Sequence, residues 1–178
     1  MLGGTFDPVH AAHLAMARAA RKALRLDRVL LVPARLSPFK SRPPAPARHR
    51  LAMLKLAVGK TPWLEVATLE LRRPAPSYTV DTLKALRRRF PGGTEFILLM
   101  GADSAITMHK WFKHKELTKL STAAVFRRPG TRIPRGMLRV PMPQQGVSST
   151  MLRASKAPGK GWIPSVLAYA RRFQLYSR

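Results

Sequence analysis

Gly3-Gly4-Thr5-Phe6-Asp7-Pro8-Val9-His10-Ala11-Ala12-His13-Leu14 constrains this chain more than any other stretch. Paired glycines permit a tight turn and let backbone approach a ligand closely. Asp7 and Pro8 then read as a helix start, a side-chain cap followed by a residue pre-set for the first turn. His10 and His13 are three apart and would share one face of that turn. Free N–H groups and the positive end of the helix dipole favour a bound phosphate there, and two imidazoles add donors toward the same anion. In a parallel α/β fold a buried strand should lead into such a turn. Only Met1 and Leu2 precede it, so the first strand is expected to be short and truncated.

The rest of the chain reads as alternating strands and helices. An alanine-rich helix is expected over 10–25, with basic residues on its outer side. Val29-Leu30-Leu31-Val32-Pro33 is a continuous apolar run suited to a strand buried on both faces. A loop rich in proline and basic residues runs from Ala34 to Ala47 and carries Ser37-Pro38-Phe39-Lys40. A helix follows from Arg48 to Val58, with Leu51, Leu54 and Val58 on its apolar face. Alternation near Leu64, Val66 and Leu69 predicts a strand within 63–71. Ser77 or Thr79 is placed to cap a helix running to about Phe90. Glu95 to Met100 is a second buried strand, ending in Gly101-Ala102-Asp103-Ser104, and ligands gather at such carboxyl ends. Short strands are expected at 121–126 and 138–142. Gly146 to Arg153 opens a helix whose hydroxyls, N–H groups and forked guanidinium make a second phosphate clamp. A last helix covers 163–176. The expected fold is one doubly wound, Rossmann-like α/β domain over 1–178, with a parallel sheet and flanking helices.

Composition narrows the class. With no cysteine, disulfides and thiolate zinc sites are excluded. No apolar run approaches the roughly 20 residues of a membrane span, and no signal peptide is visible, so a cytoplasmic enzyme is expected. Thirty-three Lys and Arg against 8 Asp and Glu give a formal charge of +25, which favours anionic ligands and non-specific nucleic-acid contact. Three of those few acids, Asp7, Asp81 and Asp103, fall inside the motifs singled out here.

The first stretch resembles the GxFDPxHxGH signature of the nucleotidyltransferase superfamily, departing once at Ala12. Ser77-Tyr78-Thr79-Val80-Asp81-Thr82-Leu83 matches a string found in its members acting on nicotinate mononucleotide, and Gly146 to Arg153 closely resembles the ISSTxIR element. These motifs, in the family's order, cover nearly the whole chain, which resembles the bacterial nicotinate-nucleotide adenylyltransferases. The resemblance implies that ATP and nicotinate mononucleotide give nicotinate adenine dinucleotide and pyrophosphate, late in NAD synthesis. It implies His10, His13 and Arg153 as catalytic residues. Gly3, Gly4, Thr5, Phe6, His13, Asp103, Ser148, Ser149, Thr150 and Arg153 would bind ATP. Lys40, Thr79 and Trp111 would bind the mononucleotide, with Phe39 standing where relatives have histidine. Mg²⁺ would be held mainly by ATP phosphates and water, with no protein cage. Neither clamp shows the base and orienting group of an activated serine, so no covalent intermediate is expected. Two other readings stay open: a sister enzyme using nicotinamide mononucleotide or phosphopantetheine, and an inactive basic relative that binds nucleic acid.

Overall fold

The protein is described from a computed structural model covering residues 1–39, 45–127, 131–143, 146–155 and 159–176. The strands are β1 (Leu2–Gly4), β2 (Val29–Pro33), β3 (Leu64–Val66), β4 (Ile97–Gly101), β5 (Thr122–Phe126) and β6 (Leu138–Val140). They form one sheet in the order β3-β2-β1-β4-β5-β6, all parallel. The helices are α1 (Ala11–Leu24), α2 (Ala47–Val58), α3 (Thr79–Arg87), α4 (Ala102–Thr107), α5 (His114–Leu120), α6 (Ser149–Ala154) and α7 (Pro164–Arg172), with a 3-10 turn at Met108–Lys110. Strand order reverses between β1 and β4, and doubly wound sheets bind ligands at that switch point.

The continuous apolar runs explain the sheet's position. In β2, Val29 and Leu31 enter one core cluster while Leu30 and Val32 enter the other. Likewise Leu99 faces the first cluster, and Leu98 and Met100 the second. Alternate side chains of a strand point to opposite faces, so an unbroken apolar run needs helices on both sides. Buried residues of α1, α2 and α7 cover one face, and those of α3, α4 and α5 the other.

β1 is short, as expected, yet it lies mid-sheet. Leu2 pairs with both Leu31 and Leu99, and the Met1 carbonyl extends the ladder by accepting from Leu99 N–H at 2.8 Å. Several boundaries differ from the sequence reading. Asp7 and Pro8 do not start α1; they lie in the turn, joined by a cis peptide, and His10 is the N-cap. The strand expected over 63–71 stops at Val66: Ala67 N–H makes the last bond to β2, at the Leu31 carbonyl, and the chain then turns, Leu71 N–H reaching the Thr68 carbonyl. Neither Ser77 nor Thr79 caps α3; Tyr78 occupies that position without a side-chain bond, and the helix ends at Arg87. The last helix ends at Arg172. In α2 the buried face is Arg50, Met53, Leu54 and Val58, while Leu51 is half-buried.

Candidate active site

The turn after β1 is held from below by one arginine. Arg50 is 1% exposed and donates to the carbonyls of Thr5 (2.8 Å), Ala34 (2.7 Å), Ala45 (2.8 Å) and Arg35 (3.2 Å). A buried guanidinium persists only where its donors are met. Burial lowers its pKa, and the nearby Asp7 charge opposes that. Gly4 packs closely here, and a Cβ in its place would lie 3.3 Å from the buried Phe6 ring, a tight contact. Phe6 itself has φ of 50°, a left-handed conformation rare for a bulky residue.

Asp7 is buried within the turn. Its Oδ1 accepts from Tyr176 O–H at 2.7 Å and from Ala45 N–H at 3.2 Å. Burial first, then the hydrogen bond to Asp7, push the Tyr176 phenol well above its ordinary pKa, so it stays a donor.

The two imidazoles stack, with ring centroids 3.8 Å apart and planes at 32°. His13 packs edge-on against Phe6 at 4.9 Å. The Nδ1 of His13 accepts from His10 backbone N–H at 3.2 Å. An amide N–H can only donate, so that contact assigns the proton of neutral His13 to Nε2. His13 is therefore oriented by its own helix cap, with a donor on the opposite ring nitrogen. The helix tip offers fewer amides than the sequence suggested. Ala11 N–H bonds to the Gly161 carbonyl at 2.9 Å, and His13 N–H to the His10 carbonyl at 2.9 Å.

The second expected clamp docks directly on this turn. Ser148 is the N-cap of α6, its Oγ accepting from Met151 N–H at 3.2 Å. Ser149 Oγ donates to the Pro8 carbonyl at 2.9 Å. Arg153 Nη1 donates to the Asp7 carbonyl at 2.6 Å and lies 3.8 Å from Asp7 Oδ2, while Nη2 reaches Thr150 Oγ1 at 3.3 Å. The start of α6 thus meets the turn between β1 and α1 at Asp7 and Pro8, the segment that runs from Thr5 and Phe6 to His10.

Three further expected residues, Asp103 for ATP and Thr79 and Trp111 for the mononucleotide, lie on α4, at the start of α3 and just after the 3-10 turn. Asp103 is exposed in the first turn of α4, at the carboxyl end of β4 and across the switch point from β1. Thr79 opens α3 and is half-buried. Trp111 is half-buried against the second core cluster, its ring 6.1 Å from that of Phe39. Tyr78 and Phe112, which flank Thr79 and Trp111 in sequence, stack at 4.5 Å and tie these two neighbourhoods together. Lys40 lies outside the described residues. Other members of the Ser77–Leu83 string are structural. Ser77 Oγ accepts from Arg35 N–H at 3.0 Å, and Thr82 Oγ1 donates to buried Glu70 while accepting from Arg73 Nη2 at 2.9 Å.

Sequence reasoning missed Arg50 and Tyr176. Arg50 had a signal, an arginine one turn before Leu54 on the apolar face of a helix. Tyr176 had none, because its partner lies 169 residues away. No group of three or more His, Asp or Glu that could cage a metal occurs among the described residues. No helix among them is long and apolar enough to cross a membrane.

The cytidylyltransferase-like family profile matches residues 1–155. A chain of Thermus thermophilus named "probable nicotinate-nucleotide adenylyltransferase" is 40% identical over 183 residues, covering 99% of this chain and 97% of that one. Chains with the same name from a Roseiflexus species and from Chromobacterium violaceum are each 39% identical over 99% of this chain, with 96% and 97% of the relatives covered. Among solved structures, Plasmodium falciparum nicotinic acid mononucleotide adenylyltransferase complexed with NaAD shares the fold, with a TM-score of 0.81 at 19% identity over 98% of this chain and 95% of that one. The same enzyme complexed with APC gives a TM-score of 0.79 at 18% identity, covering 98% and 94%. With a cytidylyltransferase-like core over most of its length and full-length relatives near 40% identity, the chain belongs to the nicotinate-nucleotide adenylyltransferase family.

Proposed function

We propose that this site transfers the adenylyl group of ATP to nicotinate mononucleotide, giving nicotinate adenine dinucleotide and pyrophosphate. One observation carries the reading: Arg153 is bonded to the turn that presents the stacked His10 and His13, although 146 residues separate it from Asp7. A cationic fork beside two imidazoles at a sheet switch point suits a polyphosphate.

The acceptor's phosphate is already an anionic nucleophile. One of its oxygens attacks the α-phosphorus of ATP, and the bond to the bridging oxygen breaks, releasing pyrophosphate. No strong base is needed, so the protein contributes alignment and neutralisation of charge on the leaving group. His13, through Nε2–H, His10 and Arg153 stabilise that charge. Gly3, Gly4 and Phe6 shape the turn against the nucleotide. Thr5, Ser148, Ser149 and Thr150 contribute hydroxyls or amides to the triphosphate, and Asp103 meets the ribose. Lys40 holds the mononucleotide phosphate, while Thr79 and Trp111 place the pyridine carboxylate and ring.

Asp7, a carboxylate within the turn, is engaged by Tyr176, Ala45 and Arg153. This donor set fits a Mg²⁺ that arrives on ATP and keeps phosphate and water ligands. Such an ion supplies charge neutralisation across the phosphates. The +25 charge supports non-specific contact with nucleic acid alongside the reaction.

An acceptor panel tests the assignment. Pyrophosphate release from ATP should be fastest with nicotinate mononucleotide. Faster release with nicotinamide mononucleotide or phosphopantetheine would replace it with the sister activity.

A further inference from the structure

The segment after α7 returns to the phosphate-binding turn in a strained conformation. Gln174 and Tyr176 have φ of 50° and 66°, in the left-handed region that bulky side chains avoid. Such strain persists where surrounding structure enforces it, and it clusters at functional positions. Here the strain accompanies a polar contact with the site. The Tyr176 ring lies 6.4 Å from Trp162, and its hydroxyl donates to Asp7 Oδ1 at 2.7 Å.

That contact determines which way the Asp7 charge faces. Oδ1 is taken by Tyr176 O–H and Ala45 N–H, and Oδ2 is turned toward Arg153 Nη1 at 3.8 Å. The same guanidinium nitrogen donates to the Asp7 carbonyl at 2.6 Å. Arg153 is therefore located by two oxygens of one residue, and that residue's carboxylate is oriented by Tyr176. The Arg153 side chain is 25% exposed, which leaves a face open to ligand. A guanidinium fixed before binding loses less entropy when it meets phosphate.

We infer that Tyr176 is a positioning residue for ATP, acting through Asp7 to pre-set the Arg153 guanidinium. This rests on the proposed nucleotide site but not on the identity of the acceptor. Burial of the phenol, which raises its pKa, keeps Tyr176 a donor at all physiological pH.

The test is a double-mutant cycle read as ATP affinity by calorimetry, with Tm measured alongside. Y176F removes one hydroxyl and keeps the ring. It should weaken ATP binding about tenfold with a Tm change of only a few degrees. R153K, which loses the fork, should weaken it similarly. The double variant should be no more than about threefold weaker than R153K alone, since both act along one path. A Y176F affinity within twofold of the parent, or fully multiplied losses in the double variant, would overturn the inference. If Y176F does not fold, D7N tests the same path, because it keeps an acceptor for Tyr176 and removes the charge facing Arg153. Loss of coupling between D7N and R153K then overturns it. ATP binding with no adenylyl transfer to any acceptor would contradict the proposed reaction while leaving this cycle readable.

Discussion

At the scale of single residues, the turn after β1 depends on buried hydrogen bonds and close packing. Replacing Arg50 by Met would keep the apolar stem and leave the carbonyls of Thr5, Ala34, Ala45 and Arg35 without this donor. Buried acceptors left unsatisfied cost about 1–3 kcal/mol each. Arg50→Met should therefore lower unfolding stability by at least about 3 kcal/mol, read from the urea midpoint at unchanged slope. Gly4→Ala places a Cβ 3.3 Å from a Phe6 ring that is 2% exposed. Overpacking of this kind costs about 1–3 kcal/mol, and Tm should fall accordingly. The residues proposed to face ligand were singled out in the sequence, since glycine pairs, paired imidazoles and a helix-opening Ser-Ser-Thr carry chemistry in their types. Arg50 was half legible, as a charge in an apolar register. Tyr176 was not, because a long-range hydrogen bond leaves no local pattern.

Elements carry the next layer of control. The segment between β3 and α3 is anchored by Glu70, which accepts from Thr82 on α3. Burial raises the Glu70 carboxyl above its ordinary value of 4.5, and the bonds from Thr82 and Ser77 and the Arg73 charge oppose it only in part. The folded protein thus holds this proton more tightly than the unfolded chain. Its contribution to stability is full below about 4.5 and is lost as pH climbs through the raised folded value. Glu70→Gln should flatten that part of the stability profile and be at least as stable as the parent at pH near 7. A variant losing more stability at neutral than at acid pH would contradict this. Element existence was read well where apolar runs were unbroken, as in β2 and β4. Boundaries were misread where side chains chose other partners. Asp7 looked like a helix cap but serves Tyr176, and Ser77 looked like one but serves Arg35.

For the molecule as a whole, the sheet order places β1 and β4 side by side, so their carboxyl ends share the switch point. Alternating strand and helix patterns conveyed that architecture, while the docking of α6 on the turn needed the structure. The net charge of +25 acts over the entire surface and is screened by salt. Raising salt should weaken binding of a random-sequence oligonucleotide by several orders of magnitude, while thermal stabilisation by ATP persists. Loss of both together would mean that ATP too is held only by the field. On the proposed reading, the stacked imidazoles and Arg153 act on one triphosphate during adenylyl transfer. Single-turnover pyrophosphate release from ATP and nicotinate mononucleotide in His13→Ala should then be slower by about 10²-fold or more, the scale of one lost transition-state donor; a rate near that of the parent would show that His13 has no such role.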